Sequence, residues 1–257
     1  MCSCHSPRLR FTSDRLEWGM FSYPARFGRH RLAGGGYAVV DLETTGFDAW
    51  GADRIVEIAI VRIDAAGREL GVYETLVNPG RSTGAVGVHQ ISADMAARAP
   101  TFEEIASSVL AWLEAVVVVA HNAPFEDAFL SAEFARAGIA APAIPALDTL
   151  PLAQSFVPTP NHRLATVCAW GGVTIDGPHT ALGDARATAQ VLPRLLASRR
   201  SAPRWRHGFS RLGGVMGGGY LPRARVADMD HCYGVADQSP AASGRGRTYS
   251  QGIPGPK

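Results

Sequence analysis

The 257-residue sequence predicts an α/β domain: a mixed sheet with an antiparallel three-strand meander on one side and parallel strands beyond it, flanked by helices. Three observations predict it. Three apolar runs joined by short turns open the central segment, as in an antiparallel meander. A β-branched run then stands between two helical patterns, as a buried strand does. Both ends lack a clean period, which marks residues 1–36 as a poorly ordered N-terminal extension and 198–257 as a Gly/Pro-rich tail, with 11 Gly and 5 Pro. The domain therefore occupies 37–197.

Within it, YAVVD (Tyr37 to Asp41) reads as a short buried strand stopped by Thr44-Thr45-Gly46. IVEIAIVRID (Ile55 to Asp64) alternates and turns at Ala66-Gly67, and LGVYETLV (Leu70 to Val77) closes the meander at Asn78-Pro79-Gly80. Thr101 and Glu104 make a capping box for a helix running to Glu114. Val116 to Ala120 is the β-branched strand, and a helix from Pro124 to Ala137 follows, with proline in its first turn and Gly138 past its end. The linker APAIP and the run ALDTL lead to helices over 164–170 and 181–196, with Pro193 expected to kink or fray the last one.

Composition narrows the class. A hydrophobic fraction of 46% excludes wholesale disorder. The longest uninterrupted apolar stretch, Ala115 to Ala120, falls far short of the ~18 residues of a membrane span. The first residues hold no apolar signal core, and four cysteines make no disulfide framework, so a cytoplasmic protein is expected. Cys2-x-Cys4-His5 offers too few ligands for a zinc site. Charge is segmented: residues 37–197 set nine arginines against eighteen acids, whereas 1–36 carry a net +4 and 198–257 a net +7. An acidic middle that concentrates cations, framed by basic arms able to touch a polyanion, is one reading; a solvated acidic face is the other. Trp205, Phe209 and Tyr220 interleave with the tail arginines and could stack on bases.

Three constellations carry chemistry. Asp41 and Glu43 flank Leu42 at a strand end, and side chains at i and i+2 share a face. Strand rise puts the carboxylates roughly 6–7 Å apart. Anions that close repel unless positive charge lies between them, and hard oxygen ligands suit Mg²⁺ or Mn²⁺; a solvent-facing loop start is the plain alternative. In HNAPFED (His121 to Asp127), Phe125, Phe129, Leu130 and Phe134 define an apolar helix face. Stepping 100° per residue sets Glu126 near its middle and Asp127 at its margin. An inward carboxylate is costly unless bonded or metal-bound, although Glu126 could equally support the helix N-terminus. Finally His179 precedes the last helix and Asp184 sits at its apolar edge, a plausible base and metal ligand or simply a cap and a surface acid.

Together these segments resemble the DnaQ-like, DEDDh-type 3′–5′ exonucleases, which include the proofreading subunit of bacterial replicative polymerases and RNA-trimming enzymes. VVDLETTGFD with RIVEIAIVRID is similar to the first motif, VVAHNAPFEDAFL to the second and HTALGDARATAQVL to the third, with VNPG, VHQIS and ALDTLPLA between them in the family's order. The resemblance covers about 37–197 and implies an RNase H-like domain. It implies that Asp41, Glu43, Glu126 and Asp184 bind two divalent cations, Mg²⁺ or Mn²⁺, and that His179 is the general base. Thr44, Thr45, His89, Asn122 and Phe125 would seat the terminal nucleotide. The implied substrate is the 3′ end of a nucleic acid, single-stranded DNA or RNA, with a DNA polymerase or repair complex as a further partner and no membrane. Rival readings are an RNA-trimming enzyme of the same family and a silenced nucleic-acid-binding module. Two departures stand out: Glu126 where the family most often has Asp, with Asp127 beside it as a possible substitute, and Gln90 where Gly commonly follows the loop histidine.

Overall fold

A computed structural model describes residues 19–24, 36–199 and 202–204. The tail aromatics, most of the tail arginines and the Cys2–His5 cluster lie outside the described residues. Six strands form one sheet: β1 (Phe21–Ser22), β2 (Tyr37–Thr44), β3 (Ile55–Ile63), β4 (Glu69–Leu76), β5 (Val117–Ala120) and β6 (Ile144–Asp148), in the order β1-β6-β5-β2-β3-β4. β2, β3 and β4 are the expected antiparallel meander, and β1, β6, β5 and β2 run parallel. The helices are α1 (Val86–His89), α2 (Ala93–Ala97), α3 (Phe102–Trp112), α4 (Ala123–Arg136), α5 (Thr149–Phe156), α6 (Leu164–Gly171) and α7 (Ala181–Ala197).

The two-residue period of the strands divides the core into layers. Ala38, Val40, Leu42, Ile58, Ile60 and Val118 face a cluster with Phe102, Phe129 and Phe134 of α3 and α4. Their neighbours Val39, Ala59, Val61, Val117 and Val119 face Ala181, Ala185, Ala189 and Leu192 of α7. Small residues at i, i+4 and i+8 of α7 bring that helix close across β2 and β3. The same parity sends Asp41, Glu43 and Glu57 toward the α7 layer, at the carboxyl ends of the parallel strands, where open α/β sheets bind ligands.

Four sequence expectations are corrected. The poorly ordered extension expected over 1–36 contains ordered structure: Phe21–Ser22 pairs with Ile144 and Pro145, and Met20 and Phe21 are buried. β2 continues past Asp41 to Thr44, because Thr44 still pairs with Ile55 after a register shift. The APAIP–ALDTL stretch is a strand and a helix, since β1 on one side and β5 on the other supply the ladder partners that its short apolar run does not advertise. Pro193 does not fray α7, which runs on to Ala197 with Ser198 N–H donating to the Arg194 carbonyl at 3.2 Å. No helix among the described residues is long and apolar enough to cross a membrane.

Candidate active site

Asp41 and Glu43 leave β2 on one face, and Asp184 meets them from the first turn of α7; carboxylate oxygens of the three lie within 4.8 Å of one another. α7 is delivered there by two devices. Its N-cap Thr180 accepts the Gly183 N–H, and Glu57, buried on β3, accepts the Ala181 N–H at 2.9 Å. His179 is exposed, with a left-handed backbone (φ 64°), and its N–H donates to the Asp184 carboxylate. The third motif is thus folded so that His179 stands beside Asp184.

The second motif arrives from the opposite layer. β5 ends at Ala120, His121 is half-buried with Nε2–H donating to the His162 carbonyl at 2.8 Å, and Nδ1 lies 2.9 Å from Thr149 Oγ1. Asn122 turns the chain in the left-handed region (φ 81°), its N–H bonded to Asp148 Oδ1 at 3.0 Å. α4 then buries Glu126 and Asp127 alike, each 4% exposed. The marginal place expected for Asp127 is overturned because Met20 and Phe21 cover it: Asp127 accepts the Phe21 N–H at 3.0 Å and the Ser131 hydroxyl at 3.2 Å. Glu126 has no such shelter, and its Oε2 is buried without a hydrogen-bond partner.

Every charge that raises Asp41 is an acid. Burial is the largest cause, then Glu126, Asp184, Glu43 and Glu57, and its carboxyl is held well above the usual range. Burial, Glu57 and Asp184 push Glu43 up to about 7. Glu126 is raised well above its ordinary value by burial first and then by Asp148 and Asp127. Asp184 is raised by burial, offset in part by His179 and by the His179 N–H. Four repelling carboxylates with one orphaned buried oxygen fit a divalent-cation centre, because hard oxygen donors lose their mutual repulsion when a cation lies among them.

The remaining expected residues frame this centre. Thr44 Oγ1 donates to the Gly46 carbonyl at 2.6 Å, and Thr45 Oγ1 to Asp53 Oδ1 at 2.9 Å, so both side chains shape the β2–β3 loop. That loop exposes Phe47 (92%) and Trp50 (51%), and Phe47 meets Phe125 edge-on at 6.3 Å. His89 is buried. The Ile91 N–H donates to its Nδ1 at 3.0 Å, which leaves Nε2–H for the Thr83 carbonyl at 3.2 Å. Both ring nitrogens therefore organise their own loop. Gln90, the departure from glycine, caps α1 at φ 60°, a conformation that glycine adopts without strain.

Two residues at the site escaped the sequence reading. Glu57 is the lone acid in the otherwise apolar run IVEIAIV and stands directly opposite Glu43 in the register; like charges so placed repel, and that pairing was the available signal. Phe47, one residue beyond the turn glycine, gives no periodic signal at all.

Residues 38–192 match the profile of the exonuclease family (RNase_T). The chain belongs to this family of exonucleases. A protein of Rhodobacter capsulatus named DNA polymerase III subunit epsilon-like protein is 39% identical over 186 residues, covering 70% of this chain and 26% of that protein. The PolC-type DNA polymerase III of Bacillus cereus is 34% identical over 171 residues, covering 65% of this chain and 12% of the polymerase. The exonuclease chain thus spans about a quarter or less of these relatives. Exonuclease X, solved with 5′-overhanging duplex DNA, has the same fold at 22% identity and TM-score 0.52, over 70% of this chain and 99% of that one. So does the nuclease domain of 3′hExo, a DEDDh family member bound to rAMP, at 17% identity and TM-score 0.57, over 66% of this chain and 96% of that one. The mixed sheet is therefore the RNase H-like sheet of these exonucleases.

Proposed function

We propose that this exonuclease removes nucleotides one at a time from the 3′ end of a single-stranded nucleic acid, DNA in the first instance, using two divalent cations, Mg²⁺ or Mn²⁺. The observation that carries the reading is the convergence of Asp41, Glu43 and Asp184 within 4.8 Å, with Glu126 beside Asp41 and only acids raising Asp41. An apo site so arranged is poised against itself, and a cation pair relieves it. Asp41, Glu43, Glu126 and Asp184 would hold the cations, which when bound supply charge stabilisation at the phosphate and activate water.

The chain's own residues account for the rest of the reaction. His179, exposed beside Asp184, takes the proton from a water whose oxygen attacks the terminal phosphorus. The bond from phosphorus to the 3′ oxygen of the penultimate nucleotide breaks. That oxygen leaves with a proton from solvent, and a nucleoside 5′-monophosphate is released. The Phe47–Phe125 pair offers a stacking surface for the terminal bases next to the carboxylates. Thr44, Thr45 and His89 shape the loops around the nucleotide, and Asn122 sets the turn into α4. The acidic middle tolerates a polyanion only with cations bound, in keeping with a metal-dependent reaction. A proofreading or repair assembly is the natural setting for such an activity, and the basic ends are the segments that would meet the nucleic acid backbone.

The test is degradation of a 5′-labelled single-stranded DNA and its RNA twin with Mg²⁺, Mn²⁺ or EDTA. We expect a ladder that shortens from the 3′ end, is abolished by EDTA and is lost in Asp41→Ala, whose circular dichroism should match that of wild type. Full activity in Asp41→Ala overturns the cation assignment. Faster loss of the RNA than of the DNA moves the substrate to RNA.

A further inference from the structure

The second motif carries two adjacent buried acids, and the structure gives only one of them a visible occupation. Gly19, Met20 and Phe21, which lie ahead of the matched region, pass directly over the first turns of α4. Met20 N–H donates to Ser131 Oγ at 3.0 Å, Phe21 N–H to Asp127 Oδ1 at 3.0 Å, and Ser131 Oγ–H to Asp127 Oδ1 at 3.2 Å. Asp127 and Ser131 are four residues apart and so occupy one stripe of the helix, which lets the passing segment grip a whole turn. The segment is held from its other side by β6, where Ile144 N–H donates to the Met20 carbonyl at 2.7 Å. Gly19 lies so close to Asp127 that a methyl group there would overlap the carboxylate. Tyr23 completes the cover, its ring edge-on to Phe21 at 6.4 Å.

We propose that residues 19–23 are a strap that sets the roll of α4, making Asp127 a positioning residue and leaving Glu126 for the cations; this rests on the exonuclease reading of the site. The helix needs such a hold. Its N-cap Asn122 makes no side-chain cap, and the strand before it is four residues long. Glu126 lies 100° round the helix from Asp127. A roll of about 10° moves a carboxylate carried roughly 6 Å from the axis by about 1 Å, and misplacement of that order costs about 100-fold in rate where geometry is tight. The strap also resolves the choice between the two acids by chemistry: Asp127 has its donors, and Glu126 Oε2 has none.

The experiment compares Gly19→Ala, Asp127→Ala, Asp127→Asn and the Gly19→Ala/Asp127→Ala double variant in the full chain. Two readouts are taken: steady-state kcat and KM on single-stranded DNA, and Mn²⁺ affinity by titration calorimetry without nucleic acid. Gly19→Ala and Asp127→Ala are each expected to lower kcat about 10-fold or more and to weaken Mn²⁺ binding, with KM changed less than about twofold. Asp127→Asn keeps an acceptor oxygen and is expected to recover to within about threefold of wild type. The double variant should be no worse than either single one, because both disrupt the same interaction.

A fall in melting temperature with kcat and Mn²⁺ affinity unchanged overturns the strap as a positioning device. Equal inactivation by Asp127→Asn and Asp127→Ala overturns it too, placing Asp127 itself among the cation ligands. Wild-type protein that leaves nucleic acid intact, yet binds Mn²⁺ more tightly than Gly19→Ala, keeps the strap and overturns the nuclease reading; wild type that does neither overturns both. Should Gly19→Ala not fold, Ser131→Ala, which removes both the acceptor for the Met20 N–H and a donor to Asp127, is read in the same two assays, with weaker Mn²⁺ binding expected and unchanged binding counting against the strap.

Discussion

At the scale of single residues, the site is a set of acids waiting for positive charge. Without metal, Asp41, Glu43 and Glu126 hold protons more tightly folded than unfolded. Between an unfolded value near 4.5 and the folded value of about 7 for Glu43, the folded state carries the extra protons, so stability falls as pH rises through that window. The melting temperature of EDTA-treated protein should therefore drop from about pH 5 to about pH 7.5. Asp41→Asn should flatten the drop and melt above wild type at the upper end, and Mn²⁺ should raise wild type far more than the variant. A metal-free melting temperature that rises across this range contradicts the repulsion. In kinetics, on the proposed cation site, Glu126→Gln should lower kcat by about 100-fold, since it would remove a charge that holds the cations, while Asp127→Asn costs far less. Charge on a strand end or an apolar helix face is expensive and drew attention to these acids, but each pair alone left a plain alternative open, and only the family resemblance joined them into one site. The neighbours that divide their labour were not, since Phe21 and Asp127 are 106 residues apart.

Among elements, the β2–β3 loop shows how a flexible segment is made rigid. Glu133 of α4 is buried and takes Arg54 through two bonds, at 2.6 and 2.8 Å, and Arg136 at 3.2 Å. Arg136 in turn donates to the Ala49 and Gly51 carbonyls at 2.6 and 3.0 Å. One acid thereby anchors the loop that displays Phe47. Glu133→Ala strands two guanidinium groups and should cost about 3 kcal/mol in urea unfolding, with a raised KM for DNA. Arg186→Met, which removes an exposed pair with Glu69, should cost under about 1 kcal/mol. Equal effects from the two would deny the loop its anchor. The sequence revealed α3 through its Thr101–Glu104 box and the meander through its turns, because those signals are local. It hid β6 and α5: a five-residue strand containing Pro145 acquires its character only from the strands on either side.

Across the whole molecule, charge is arranged against itself, with an acidic middle between basic ends. Residues 205–257 hold seven basic residues against three acids. Removing them should weaken binding to single-stranded DNA and flatten its dependence on salt, since every phosphate that the tail no longer neutralises lowers the slope of log affinity against log salt by about 0.7. Turnover on short oligonucleotides at low salt should stay near that of the full chain. An unchanged slope would show that the tail does not reach the nucleic acid.

The edge strand has a practical consequence for anyone defining the smallest folding piece of this exonuclease. The family match begins at Ala38, but the sheet begins at Phe21. A chain cut at the family boundary would present β6 as a bare edge: an Ile144 amide and the carbonyls beside it without partners, over a core that Met20 and Phe21 had sealed. Unsealed strand edges recruit other chains. A fragment of 38–192 should therefore self-associate in gel filtration where 19–204 elutes as a single species, and its loss of solubility would come from the uncovered sheet margin.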